Sequence, residues 1–222
     1  KNFSFCKLDI SDREAITQSF QSFKPNKVVN LAVDNDWLDK NPCLNHKMKN
    51  KTVTKDYLSK FEIQSLIDKD NPNIRLAQVR DIFAFCCFTG LAFIDVKNLT
   101  PGDVKMGVDR KQWIYTKRQK TGTTTNIPLF PHALMLINKY KNHPEAVNKG
   151  TLLPVLSNQK MNAYLKEVAV ICDLDKHLTM HLARHTFATY LLTENIPIES
   201  VSKLLGHKSL KTTQIYAKVI DS

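Results

Sequence analysis

The chain has 222 residues, of which 32 are Lys or Arg and 21 are Asp or Glu, giving a formal net charge of +11 and a pI near 9.4. Its 42% hydrophobic content is enough to build a core, which excludes disorder as the main state, and the length fits one or two domains. The longest apolar stretch, residues 82–94, is broken by Thr89 and Gly90 and falls short of the ~20 residues of a membrane span, so the basic excess points to an anionic partner, nucleic acid ahead of a membrane surface.

Residues 1–33 read as an atypical N-terminal segment, strand, helix, strand: residues 3–9 predict a strand, 11–23 an amphipathic helix and 28–32 a second strand. Ser11 with Glu14 is a capping box, and Lys24-Pro25-Asn26 is a stop signal. This stretch resembles a βαβ piece of nucleotide-sugar epimerases and dehydratases. A nicotinamide site needs a G-x-x-G-x-x-G loop, which is nowhere in a chain with six glycines, so a dinucleotide-binding domain is excluded. No basic start followed by an apolar run and a small-residue cleavage site opens the chain, and export is not expected. Five cysteines, an odd number without C-x-x-C, predict reduced structural thiols in a cytosol. Residues 34–54 end a helix at Asp39 to Pro42 and continue as a connector. Five lysines and no acid between Lys40 and Lys55 make it either a tether along a phosphate backbone or an ordinary solvated linker.

From residue 55 onward the periodicity is mostly helical. Ser59 with Glu62 caps a helix through Asp68; 74–88 is a long apolar helix ended by Thr89-Gly90; 92–99 is a short one before Thr100-Pro101-Gly102. Residues 112–120 and 123–129 alternate or are β-branched around Thr121-Gly122 and predict a hairpin. Helices resume at 131–141, 158–172, 179–193, 198–205 and 210–219. Trp37 and Trp113 are expected in the core. The predicted fold class is mainly α with a small antiparallel sheet.

The C-terminal residues carry the chemistry. His181-Leu-Ala-Arg184-His185 places an imidazole and a guanidinium three apart on one helix, so that both can converge on one anion. Leu205-Gly206-His207 ends a helix on a glycine and puts His207 on the following turn, and Tyr216 stands nine residues later in a short helix. Each feature alone has a plain structural reading. Together, H-x-x-R-H, L-G-H and Tyr216, with T-G-L at 89–91 and the basic hairpin Arg118-Gln119-Lys120-Thr121, resemble the tyrosine recombinases, the phage-integrase family, and within it the integrases of Bacteroides-type mobile elements. The resemblance runs from about residue 35 to the C-terminus. It implies a catalytic domain over 55–222, preceded in 34–54 by a stub of the core-binding domain and a basic linker.

The resemblance also implies a chemistry: cleavage and rejoining of double-stranded DNA through a 3′-phosphotyrosine intermediate, with no metal and no cofactor. Tyr216 would be the nucleophile, Arg184 a bidentate phosphate ligand, His207 a hydrogen-bond donor to the same phosphate, His181 the proton acceptor or positioner of the phenol, and Lys120 the acid for the leaving 5′-oxygen. The family's T-G-L-R reads Thr-Gly-Leu-Ala here, and Ala92 binds no phosphate. Two arginines are candidates to replace it. Arg80 lies twelve positions upstream, roughly 18 Å along a helix. Arg118, two residues from Lys120 on a predicted strand, would point to the same face and is preferred. Lys117, Thr121, Lys208 and Lys211 are the further DNA-binding candidates, with solvated surface as the plain reading for the last two; Asp95 orients an active-site base, caps its helix or forms an ion pair. The competing functions are a decayed recombinase that binds DNA through the helix-turn-helix-like segment 198–216, a type IB topoisomerase and a metal-dependent nuclease, the last disfavoured because no carboxylates cluster near the histidines and arginines. The chain is expected to be a monomer alone, with no membrane partner, and the full-length protein a tetramer on DNA.

Overall fold

The computed structural model describes residues 33–37, 39, 56–70 and 73–220, with side chains described to residue 217. The strand-helix-strand expectation for residues 1–32 and the lysine-rich connector at 40–55 lie outside them. The chain divides into two compact units, residues 1–52 and 53–222. In the first, Trp37 is 66% exposed and not a core residue as expected: it stands on a turn among Asp34, Asn35 and Asp36, the last at φ 56°.

Unit 53–222 begins with α1, Lys60–Asp68. Ser59 and Glu62 close the predicted capping box, the Ser59 N–H donating to Glu62 at 2.7 Å and the Glu62 N–H to the Ser59 hydroxyl at 3.2 Å. Helix α2, Ile74–Thr89, starts under an Asn73 cap and is buried at every position from Asp81 to Cys87. A helix hidden on all sides belongs at the centre of a bundle, and α2 packs against α1, α4 (Pro131–Tyr140), α6 (Asn158–Ile171) and α7 (Met180–Thr193). The core is therefore Val79, Ile82, Phe83 and Phe85 of α2 with Met161, Leu165 and Ala183 from its neighbours. Cys86, Cys87 and Cys172 are buried free thiols, and burial pushes Cys86 up to about 12. Helix α3 is Phe93–Lys97. The C-terminal helices α8, Ile198–Leu204, and α9, Lys211–Ile220, pack on α7 and enclose a second apolar cluster with Phe187, Leu191, Val201, Leu205 and Tyr216.

The hairpin is present as β2, Gln112–Lys117, and β3, Thr124–Pro128, paired antiparallel with Ile114 opposite Ile127 and Lys117 opposite Thr124. Two elements were not expected. Strand β1, Val104–Met106, adds an outer edge to β2, and α5, Pro144–Lys149, carries Pro at its start and Gly150 at φ 64° after its end. Trp113 is half-buried on β2 and donates its indole N–H to Asp109 at 2.9 Å, because the ring lies over the glycine of the Gly107–Arg110 turn. The strand expected through Lys120 stops earlier. The Gly122 N–H donates to the Arg118 carbonyl at 2.8 Å and the Arg118 N–H to the Thr123 carbonyl at 2.9 Å, so residues 118–123 close a turn with Gly122 at φ 69°. Arg118 and Lys120 consequently share a turn and not a strand face.

Gly90 ends α2 in the left-handed region, φ 65°, and a Cβ there would lie 2.2 Å from Cδ1 of Phe187. Gly90→Ala is expected to lower stability by roughly 1–3 kcal/mol, measured as the shift in urea-unfolding free energy.

Candidate active site

Arg184 is the most buried cation of the site, 4% exposed on α7, whose first turn is capped by Thr179. Its Nη1 donates to the Gly90 carbonyl and its Nη2 to the Leu205 carbonyl. Both carbonyls cap helix C-termini, α2 and α8, where main-chain oxygens lack helical partners and the helix dipole is negative. A guanidinium can be buried there because two helices aim their negative ends at it. Burial pushes Arg184 down to about 10, aided by the neighbouring Arg118, and it remains charged at neutral pH.

Arg118 reaches the same place from the hairpin turn. Its Nη1 donates to the Leu205 carbonyl at 3.2 Å and its Nε stands 3.5 Å from Oδ2 of Asp95. Asp95, buried on α3, also accepts the Gln119 N–H at 2.9 Å, tying the turn to α3. Of the three readings for Asp95, the ion pair is the one present. The stem of Arg118 runs over Gly206: a Cβ there would meet Cδ of Arg118 at 2.7 Å and Cγ2 of Thr125 at 2.5 Å. Arg80 does not come near. Its Nε and Nη2 donate to Asp81 at 3.1 and 3.0 Å and its Nη1 to the Lys69 carbonyl, in a cluster that Lys139 and Tyr140 complete. Ala92, the N-cap of α3, contributes no charge.

Tyr216 is 3% exposed on α9, in the apolar cluster beside His185 and His207. Ring centroids lie 5.1 Å away for His185, tilted, and 6.3 Å away for His207, stacked at 11°. Burial raises the phenol's pKa, and the two guanidinium groups oppose that shift. His181, on the same helix as Arg184, is exposed, and its ring meets His185 edge-on at 4.2 Å. The histidine touching the tyrosine ring from α7 is thus His185, to which the motif alone assigns no role. His207 lies on the α8–α9 turn, its Nδ1 2.8 Å from the hydroxyl of the fully buried Thr213.

Lys120, Lys117, Lys208 and Lys211 are all exposed, and Thr121 points its hydroxyl toward the Gly206 carbonyl at 3.5 Å. Sequence reasoning missed Thr213 and the Leu205 carbonyl. The first stands three positions before Tyr216, one helical turn away, and could have been found from that spacing. The second is a main-chain atom with no sequence signal.

Burial, then Arg184 and Arg118, push His207 from 6.5 down to about 4. A histidine with a lowered folded-state value binds its proton more readily in the unfolded chain, so stability rises with pH between about 4 and 6.5 and is lost on acidification through that window. Urea-unfolding midpoints of the native chain are expected to fall between pH 7 and pH 4.5, and His207→Gln is expected to flatten part of that fall.

Against known proteins, the fold recurs in solved structures of DNA-bound enzymes. A lambda integrase dimer bound to a COC′ core site aligns at TM-score 0.66 with 17% identity, covering 84% of this chain and 68% of that one. The Tn1549 transposon integrase in complex with circular intermediate DNA aligns at TM-score 0.66 with 16% identity, covering 95% and 81%. The sequence is 31% identical over 175 residues to the tyrosine recombinase XerD of Yersinia pestis, covering 73% of this chain and 57% of the relative. The chain belongs to the phage integrase family, whose model matches residues 56–222. It spans little more than half the length of such curated relatives. Among the described residues, no helix is long and apolar enough to cross a membrane.

Proposed function

We propose that this chain carries out the strand cleavage and rejoining of a site-specific tyrosine recombinase acting on double-stranded DNA. The observation that supports it best is the convergence, on the Leu205–His207 turn, of two guanidinium groups from α7 and the hairpin, a neutral histidine, and a tyrosine one helix on. A phosphodiester resists attack because its oxygens repel a nucleophile, and a pre-set cluster of cations lowers that barrier.

In this reading the Tyr216 oxygen attacks the scissile phosphorus, the bond to the 5′-oxygen breaks, and a 3′-phosphotyrosine and a free 5′-hydroxyl result. The phenol's proton passes to His181, or His181 positions the phenol through His185. Lys120, on the exposed turn, gives its proton to the leaving oxygen. Arg184 and Arg118 hold the nonbridging oxygens, and His207 donates to one of them. Arg118, held by Asp95, stands in for the arginine missing at Ala92. Because the phosphotyrosine keeps the bond energy, the reverse attack by a 5′-hydroxyl rejoins the strand without ATP. Lys117, Thr121, Lys208 and Lys211 lie along flanking phosphates. Residues 55–222 are the catalytic domain and 34–54 the end of a core-binding domain; the protein is a monomer alone and a tetramer on DNA, in a bacterial cytoplasm, serving a mobile element.

The test is covalent. Incubated in EDTA with nicked duplexes of randomised core sequence, the chain is expected to give a protein–DNA adduct that survives SDS and is lost on protease digestion. No adduct across the library, with DNA binding retained, overturns the proposal and leaves a DNA-binding module.

A further inference from the structure

Thr213 is at 0% exposure, and its one side-chain hydrogen bond among the described residues is to Nδ1 of His207 at 2.8 Å. A buried hydroxyl needs an acceptor for its proton. Among the described residues no carbonyl accepts it, which leaves Nδ1 of His207 as the partner at hand. A neutral imidazole has a single lone-pair nitrogen and a single N–H, and the hydrogen bond on one nitrogen decides where the other's proton sits. Burial, with Arg184 and Arg118 nearby, holds the His207 value well below neutrality, so the ring carries a single proton at pH 7.

We propose that Thr213 is a positioning residue for His207: its hydroxyl donates to Nδ1, keeps the imidazole proton on Nε2, and so presents an N–H donor to the phosphate. This rests on reading His207 as a phosphate ligand. Thr213 and Tyr216 are one turn apart on α9, so the seating of that helix sets the nucleophile and the histidine together. A helix α9 that moves off α7 takes the tyrosine away and frees the histidine's proton to sit on either nitrogen, and a half-seated site has neither group in order.

The experiment does not need DNA for its first arm. In the full chain labelled with 15N-histidine, with His207 assigned through His207→Gln, long-range 1H–15N spectra at pH 7 are expected to show a lone-pair Nδ1 and a protonated Nε2. Thr213→Val, isosteric but without the hydroxyl, is expected to give a mixture of the two forms, and Thr213→Ser to restore the single form. In the second arm, Thr213→Val should slow adduct formation on the best nicked duplex by on the order of 10-fold with unchanged DNA affinity, and Thr213→Ser should recover most of it. A wild-type His207 protonated on Nδ1, a Thr213→Val chain with the native proton placement, or an altered placement with an unaltered rate overturns the proposal. If no duplex gives an adduct, the spectra still decide the role of Thr213 while the recombinase reading fails separately.

Discussion

Tyr216→Phe is expected to abolish the covalent adduct while leaving the fold and DNA affinity in place. Burial of the ring is what keeps the fold intact. At 3% exposure, packed with Phe187, Leu191, Val201 and Leu205 and flanked by His185 and His207, the six-membered ring is held by apolar contacts that phenylalanine reproduces. The substitution removes one oxygen, which is not among the buried polar atoms that lack a partner. Stability should change by no more than about 1 kcal/mol, the usual net contribution of a single hydrogen-bonding group. Denaturing gels score the adduct and native gels score binding on the same duplex. An adduct that persists in the phenylalanine chain would assign the nucleophile to another residue.

Arg118→Ala should cost about 10²–10³ in cleavage rate, the usual effect of removing one donor aimed at developing oxyanion charge. Arg80→Gln should leave the rate per folded molecule unchanged, although it disturbs the Asp81 cluster and is expected to lower stability. The sequence already favoured Arg118 over Arg80 for the empty place at Ala92, and their partners differ in the same sense: Arg80 is occupied by Asp81 and the Lys69 carbonyl, whereas Arg118 shares a carbonyl with Arg184. A double variant, Arg118→Ala with Ala92→Arg, should recover part of the loss by returning a guanidinium to the first turn of α3. Single-turnover adduct kinetics measure all three. Native rates in Arg118→Ala would show that the chain works with one arginine.

Much of this architecture could be read from residue order. Ser59 and Glu62, the apolar run ending at Thr89-Gly90, and the alternation of 112–117 with 124–128 each act through neighbours within a few residues, and those elements stand where expected. The hairpin turn was less legible. Arg118 does stand beside Arg184, but not for the local reason expected: strand alternation would have aligned it with Lys120, whereas pairing ends at Lys117 and Arg118 pairs with Asp95 on another element. Short elements such as β1 and α5 gave too few residues for a period to show. Arg184 was legible as a candidate phosphate ligand, but its burial was not. Only the tertiary fold brings the ends of α2 and α8 together around it.

The Leu205 carbonyl accepts from both Arg118 and Arg184, and the next two residues are the glycine under the Arg118 stem and His207 itself. Energetically, Arg118, Arg184 and Gly206 are not independent. Residues sharing one partner show coupling energies of about 0.5–3 kcal/mol in double-mutant cycles, while distant residues simply add. Losses from Arg118, Arg184 and Gly206 substitutions should therefore overlap, and most of the damage should already be done by the first. A site hung on one peptide group has the cost structure of a keystone: its parts are individually near-indispensable and jointly redundant.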